Sequence, residues 1–300
     1  MVSNYSIVWK EQLIQLYTDV CNAYDSRLAG IVQRLSRNNC PKFTDKEAMT
    51  LYLWGTKQRF TTVKAIYRYS KMHLSEWFPL LPSYQAFCKR VSYLAPAFEA
   101  YCEMQVEAAP APESCYAVID AMPIAIARAH RSGVAKTARS MCKKTYCASR
   151  DEWYYGVKLH MVSSLRHKTL PIPRVAIVTP ANHQDLGTAK HIFDRGNIHG
   201  CTLLADKAYV DKRWKAHLLE TYDVTLLHPR KRVSAIPEWS KGRDALSQAI
   251  CSARQPIEVF FNWLNEKTGI QRASKVRSIL GLRSHIFGKL AAALHSLLNP

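Results

Sequence analysis

Three carboxylates define the chemistry open to this chain. Asp120 interrupts the apolar run Cys115-Tyr116-Ala117-Val118-Ile119-Asp120-Ala121-Met122-Pro123-Ile124-Ala125-Ile126, and it is the only acid between Ser114 and Arg150. Asp206 closes Leu203-Leu204-Ala205-Asp206, and Glu258 follows Arg254-Gln255-Pro256-Ile257. Helical spacing puts Ile257, Phe260, Phe261 and Leu264 on an apolar face and leaves Glu258 off it, so packing does not require the acid. Burying a carboxylate costs several kcal/mol unless a metal, a cation or hydrogen bonds compensate. Carboxylate oxygens are hard ligands for divalent cations. Two such ions about 3.5–4 Å apart can activate an attacking oxygen and stabilise the leaving oxygen of a phosphodiester. The ions would also relieve the mutual repulsion of the three acids. Each acid has a plainer reading. Asp120 could sit at a strand end or pair with an arginine, Asp206 could serve as a turn or cap residue, and Glu258 could favour a helix N-terminus.

The elements around these residues follow from periodicity. Residues 115–126 form a buried strand after the linker-like stretch Glu107-Ala108-Ala109-Pro110-Ala111-Pro112-Glu113. Trp153 to Leu165 alternates as a second strand and Pro171 to Val178 makes a third, the two pairing around Arg166-His167-Lys168. His183 to Phe193 reads as a helix, Cys201 to Ala205 as a strand ending at Asp206, Lys212 to Glu220 as a helix and Val224 to Leu227 as a last strand. Residues 228–255 read as a basic, irregular insertion with Arg230, Lys231, Arg232, Lys241, Arg243 and Arg254. A helix is expected from about Pro256, a residue suited to a first turn, to Thr268, and another from about Leu280 to Leu298. Glu258 would then open the late helix. This order predicts an α/β domain over 114–300 with a ribonuclease H-like mixed sheet of about five strands and flanking helices.

Residues 1–110 predict a separate all-helical domain. Trp9, Leu13, Leu16, Tyr17 and Val20 recur at helical spacing, and Thr44 with Glu47 is a capping box ahead of Ala48, Leu51 and Tyr52. Two further units, Thr61 to Tyr69 and the stretch after Pro82-Ser83, carry Lys64, Arg68, Lys71, Lys89 and Arg90 outside their apolar faces. Short helices with basic outer faces suit a helix-turn-helix DNA-binding module, and equally a plain bundle with a solvated basic face.

With 42 basic and 23 acidic residues the formal charge is +19, which points to a polyanionic partner, nucleic acid before a membrane surface. A hydrophobic content of 48% excludes global disorder. Nine scattered cysteines without a Cys-x-x-Cys argue for free thiols rather than a zinc site, and no leader or bilayer-spanning run is expected, so the reading is cytoplasmic. The basic segment from Arg128 to Arg150 joins the first two strands. It holds Arg128, Arg131, Lys136, Arg139, Lys143 and Lys144 and reads as a clamp on DNA phosphates, or as a solvated loop.

Several motifs together resemble the DDE transposases of bacterial insertion sequences, most closely the group called insertion sequence family 982, with similarity to families 4 and 5. They are Asp120-Ala121-Met122-Pro123-Ile124, Tyr155-Gly156-Val157-Lys158-Leu159-His160, Thr179-Pro180-Ala181-Asn182-His183-Gln184-Asp185, Asp206-Lys207-Ala208-Tyr209, and Arg254 followed after three residues by Glu258. The resemblance covers Cys115 to about Arg277, and Leu81 to Val91 resembles the group's helical leader. Ala208 stands where the family usually has Gly, and Cys251 and Asn265 stand where the family 4 signature has Tyr and Lys.

The resemblance implies two Mg²⁺ (or Mn²⁺) ions held by Asp120, Asp206 and Glu258. The implied reaction is hydrolysis at the element's ends, then attack of the freed 3′-OH groups on target DNA without a covalent protein intermediate. It adds Lys158 and Arg254 to the residues facing DNA. It also makes His160, His183, Asp185, Lys207 and Tyr209 residues that position ligands or substrate, where the plainer reading of the first three is an ordinary hydrogen bond. The implied partners are double-stranded DNA (terminal inverted repeats and target), a second copy of the chain and no membrane, in a bacterial, nucleoid-associated setting. Two other classes stay open: a metal-dependent endonuclease that stops at hydrolysis, and a non-catalytic DNA-binding regulator.

Overall fold

The computed structural model describes residues 3–33, 41–195, 198–230 and 245–299. The periodicity of the first hundred residues becomes helices. They are α1 (Ser3–Ala23), which runs through a π turn into the short α2 (Ala29–Ile31), then α3 (Asp45–Lys57), α4 (Val63–His73), α5 (Tyr84–Tyr93) and α6 (Ala95–Glu107). The capping box forms as its sequence signals: the Glu47 N–H donates to Thr44 Oγ1 at 3.2 Å, and the Thr44 N–H donates to Glu47 Oε2 at 2.6 Å. A cap of this kind stabilises a helix by about 1 kcal/mol. Leu13, Leu16 and Val20 are buried as expected, whereas Tyr17 stays exposed.

The next elements build a mixed sheet. Its strands are β1 (Tyr116–Arg128), β2 (Lys143–Cys147), β3 (Glu152–Ser164), β4 (Ile172–Pro180), β5 (Cys201–Leu204) and β6 (Val224–Leu227), with helices α7 (Asp185–Arg195), α8 (Lys212–Tyr222) and α9 (Ala245–Thr268). The spatial order is β2-β3-β1-β5-β6, and β4 also pairs with β3. β1 runs antiparallel to β3 and parallel to β5, and β5 is parallel to β6. Among the described residues the sheet therefore has six strands, one more than expected. The extra strand, β2, lies inside the basic segment read as a loop. It pairs with the first residues of β3, and β4 pairs with the rest. Alternating Lys, Thr and Tyr over so few residues carry no apolar face from which to read a strand.

Strand alternation gives β1 two faces. Ala117 and Ile119 join Val162 in a core with Ala189, Ile192 and Phe193 of α7 and Trp214 and Leu218 of α8. Val118, Asp120 and Met122 point the other way. Gly156 on β3 faces Ala125, where a Cβ would lie 2.0 Å from the Ile124 carbonyl oxygen. Only glycine fits that approach of two backbones.

Two readings of the late chain are corrected. Residues 245–255 are not irregular: α9 begins at Ala245 and holds Pro256 inside it. An interior proline costs roughly 3 kcal/mol. The offset is burial, since Ile250, Arg254, Ile257, Phe261 and Leu264 form one buried stripe at helical spacing. The rest of the expected insertion, with Lys231, Arg232, Lys241 and Arg243, lies outside the described residues. The last helix, α10 (Ile279–Leu298), begins within one residue of its predicted start.

The chain divides into two compact units, Met1–Ala108 with Leu264–Pro300, and Ala109–Trp263. The helical unit thus takes the last residues of the chain, which the sequence reading had assigned to the second domain, 114–300. The cause is the apolar surface of α10. It buries Leu282, Ile286, Leu290 and Leu294, and packs on α6, α3 and α5. Gly288 lets it approach Tyr52, whose ring carbon would sit 2.5 Å from an added Cβ. Gln105 Nε2 donates to the Ala291 carbonyl at 3.2 Å, and Ser284 Oγ donates to the Val91 carbonyl at 2.7 Å.

Candidate active site

The parallel pairing of β1 with β5 runs through Ala117 opposite Leu203 and Val118 opposite Leu204. Two residues beyond that last pair stand Asp120, still on β1, and Asp206, just past the end of β5. The register therefore brings two carboxylates, far apart in sequence, to the same level, one on β1 and one at the mouth of β5. Asp120 is half-buried, and its Oδ1 accepts the Ala121 N–H at 2.8 Å. Asp206 caps a single 3-10 turn, Lys207–Tyr209, accepting the Lys207 N–H at 2.6 Å.

Arg254 joins them. Its Nη2 lies 3.3 Å from Asp120 Oδ2 and its Nη1 lies 3.8 Å from Asp206 Oδ1. The guanidinium is nearly sequestered, with 9% of the side chain exposed, against 23% for Asp120 and 43% for Asp206. Arg254 reaches this position because it lies on the buried stripe of α9. Burial pushes the Asp120 carboxyl up to about 6. The Arg254 charge and the Ala121 N–H oppose that rise, and the charges of Asp206 and Glu258 add to it.

Glu258 is exposed. It does not open a helix as expected, because α9 starts about three and a half turns earlier. A dipole role is therefore excluded, and its field at Asp120 is the smallest of those named. Among the described residues, no three His, Cys, Asp or Glu side chains stand close enough together to hold a metal ion. As the side chains stand, the site is a pair of carboxylates sharing one cation. The two carboxylates are hard oxygen donors of the kind a divalent ion takes, but Arg254 is the cation they share, and Glu258 acts on Asp120 only through its field.

The family model for the transposase DDE domain matches residues 112–294, more than half of the chain. The chain belongs to this family. It is a DDE transposase. No curated protein matches it.

In the transposase, the other residues singled out in the sequence fall into separate places. His160 pairs across the ladder with Ala121, and Asp120 with Met161. The imidazole and the Asp120 carboxylate therefore leave the sheet by opposite faces. His160 is fully buried and its Nε2 lies 2.8 Å from Thr179 Oγ1. Burial lowers its pKa to about 4, so the ring is neutral. Asp185 Oδ1 accepts from Lys158 Nζ at 2.7 Å and lies 4.0 Å from His160 Nδ1. His183 is exposed, and its carbonyl accepts from Lys158 at 3.3 Å. Lys207 is exposed beside Asp206.

Tyr209 lies in the core beside α7 and feels the charges of both clusters. Among the described residues its buried hydroxyl has no hydrogen-bond partner, and burial raises its pKa, with Asp185, Asp120 and Asp206 adding and Arg254 opposing.

Of the basic residues of the transposase, Arg131, Lys136, Arg139 and Lys143 are exposed. Lys144 lies over the Trp153 ring at 4.9 Å, and Arg128 pairs with Glu152 at 3.1 Å. Lys158 and Arg254, expected to face DNA, are engaged by acids instead. The signal for Arg254 was present in its spacing from Ile250, Ile257 and Phe261, which marks a buried position. No helix among the described residues is long and apolar enough to cross a membrane.

Proposed function

We propose that this transposase cleaves DNA at the ends of a mobile element and transfers the freed 3′ ends into target DNA, using divalent metal ions. Asp120, Asp206 and Glu258 would hold two Mg²⁺ or Mn²⁺ ions. The observation that carries this reading is the placement of Asp120 and Asp206 at one level, on β1 and just past the end of β5, around a shared, sequestered cation. When bound, the ions activate the attacking oxygen and stabilise the leaving oxygen of an in-line displacement.

The chain's own residues do the rest. Asp120 is desolvated, so its charge needs a positive partner, and Arg254 supplies one in the free protein. Arg254 would have to release the two carboxylates for them to hold an ion. Arg131, Lys136, Arg139, Lys143 and Lys144 attract the phosphate backbone and hold the duplex. Lys158, His160 and Asp185 fix the far side of β3 against the start of α7. Tyr209 carries a buried hydroxyl without a partner among the described residues and can donate to a ligand. The membership proposed within the family is the insertion sequence 982 group, with a homodimer on paired element ends in the bacterial cytoplasm.

The test is a cleavage and joining assay on duplexes carrying the terminal repeats that flank the coding region, with Mg²⁺ or Mn²⁺. Nicked ends joined to a target duplex are expected. Hydrolysis without joining would favour the endonuclease reading, and binding without cleavage in either metal would favour the regulator.

A further inference from the structure

The helical unit has a cavity of about 740 Å³ between α4, α5, the segment 269–278 and the start of α10. Lys64, Arg272, Lys275 and Arg277 line it, and among the described residues no Asp or Glu does. All four are exposed. Arg277 donates to the carbonyls of Ser274 and Val276 in its own segment. Lys64, Arg272 and Lys275 have no side-chain hydrogen bond or ion pair among the described residues. From Lys267 to the last residue the chain contains no acid. Cations left unpaired around an acid-free concavity repel one another, an arrangement that an anionic ligand relieves.

Two further features give that ligand a shape. The first turns of α4 and α10, capped by Thr62 and Ser278, also line the cavity. Along α4, Lys64 is followed at helical spacing by Arg68 and Lys71, both exposed and, among the described residues, also without an acidic partner. Over those residues the helix rises about 10 Å, the axial span of about three phosphates of one DNA strand. A single small anion would leave the outer part of this stripe and most of the cavity unused.

We propose that this cleft of the helical unit binds the sugar–phosphate backbone of duplex DNA. Lys64, Arg272 and Lys275 would each contact a phosphate, and Arg68 and Lys71 would extend the track. The inference rests on the transposase reading for its choice of polyanion, but not on the catalytic mechanism.

The experiment uses the full chain carrying Asp120→Asn, so that no cleavage intervenes, and a fluorescent duplex of random sequence over a salt series. Counterion release gives a log–log slope of about −0.9 per neutralised phosphate. The triple variant Lys64→Ala/Arg272→Ala/Lys275→Ala should lose roughly 2 to 3 units of slope. The charge-conserving variant Lys64→Arg/Arg272→Lys/Lys275→Arg should keep the original slope, with both variants matching the parent in urea midpoint. An unchanged slope in a folded triple alanine variant overturns the proposal. So does loss of inorganic phosphate binding with DNA binding intact, which would mark a small-anion site. If the wild-type chain neither cleaves nor joins ends while the triple variant still loses slope, the cleft stands and the proposed reaction falls.

Discussion

Two acid–base clusters sit on opposite faces of the same sheet, and they differ in what their charges lack. On one face Lys158 reaches Asp185 at 2.7 Å and a neutral His160 fills the space behind. One acid meets one base. On the other face a single arginine serves two carboxylates, at 3.3 and 3.8 Å, with a third acid adding its field. That side carries excess negative charge in a partly desolvated place. A folded protein bears such an imbalance where something else supplies the missing positive charge. On the proposed function, the difference separates a cluster that holds structure from one that takes a metal ion.

The largest effect expected from this contrast is on the reaction. Asp120→Asn should abolish strand cleavage while leaving duplex affinity within about twofold, because affinity comes from Lys and Arg. Asp185→Asn should slow cleavage by only about 10–100-fold, the usual range for a group acting through another. Single-turnover cleavage on one labelled end measures both. Retained cleavage in Asp120→Asn would erase the distinction between the faces.

Stability should show the next effect. Arg254→Met leaves Asp120 without a cation and should cost about 3 kcal/mol in urea unfolding without divalent ions. Adding Asp120→Asn should recover most of that loss, a coupling that a double-mutant cycle reads directly. Lys158→Met, on the balanced face, should cost about 1 kcal/mol, since Asp185 keeps partial access to water.

The two faces should also respond to pH with opposite sign. Asp120 titrates at about 6 when folded and near 3.8 when unfolded. Between these values the unfolded chain has lost a proton that the folded chain keeps, so stability falls as pH rises, by about 3 kcal/mol in all. His160 titrates at about 4 when folded against 6.5 ordinarily. Below 6.5 the unfolded chain takes up a proton first, so stability falls by about 3 kcal/mol as pH drops towards 4. In the wild type the two slopes oppose each other between about pH 4 and 6. Relative to it, Asp120→Asn should gain stability with rising pH in that window, and His160→Gln should lose it. Urea midpoints at half-unit pH steps without divalent ions would show this, and equal slopes in all three proteins would mean that neither group is desolvated as described.

The smallest predicted effect tests the fold beneath both clusters. Gly156→Ala forces a Cβ against the Ile124 carbonyl at the β1–β3 ladder and should cost about 1–3 kcal/mol by thermal melt.

The sequence by itself determined what depends on neighbours along the chain. Period-two and period-3.6 patterns located five of the strands and the main helices. Thr44 and Glu47 announced their cap, and the lone acid in an apolar run marked Asp120 as a carboxylate that burial would strain. The strand pattern placed Asp120 inside β1 and Asp206 just past the end of β5, and the parallel pairing that brings these positions together comes from a short list of permitted topologies. The tertiary structure decided what depends on distant partners. Arg254 is 134 positions from the carboxylate it pairs with, and no local pattern carries such a distance. Pro256 looked like a helix start because a proline fits the first turn, yet burial of the stripe from Ile250 to Leu264 outweighed its cost and moved Glu258 deep into α9. β2 formed because β3 offered an open edge, not because its own residues demanded a strand. The last helix joined the helical unit because an apolar surface packs on whatever complementary surface the fold presents, and the sequence shows the surface but not its partner.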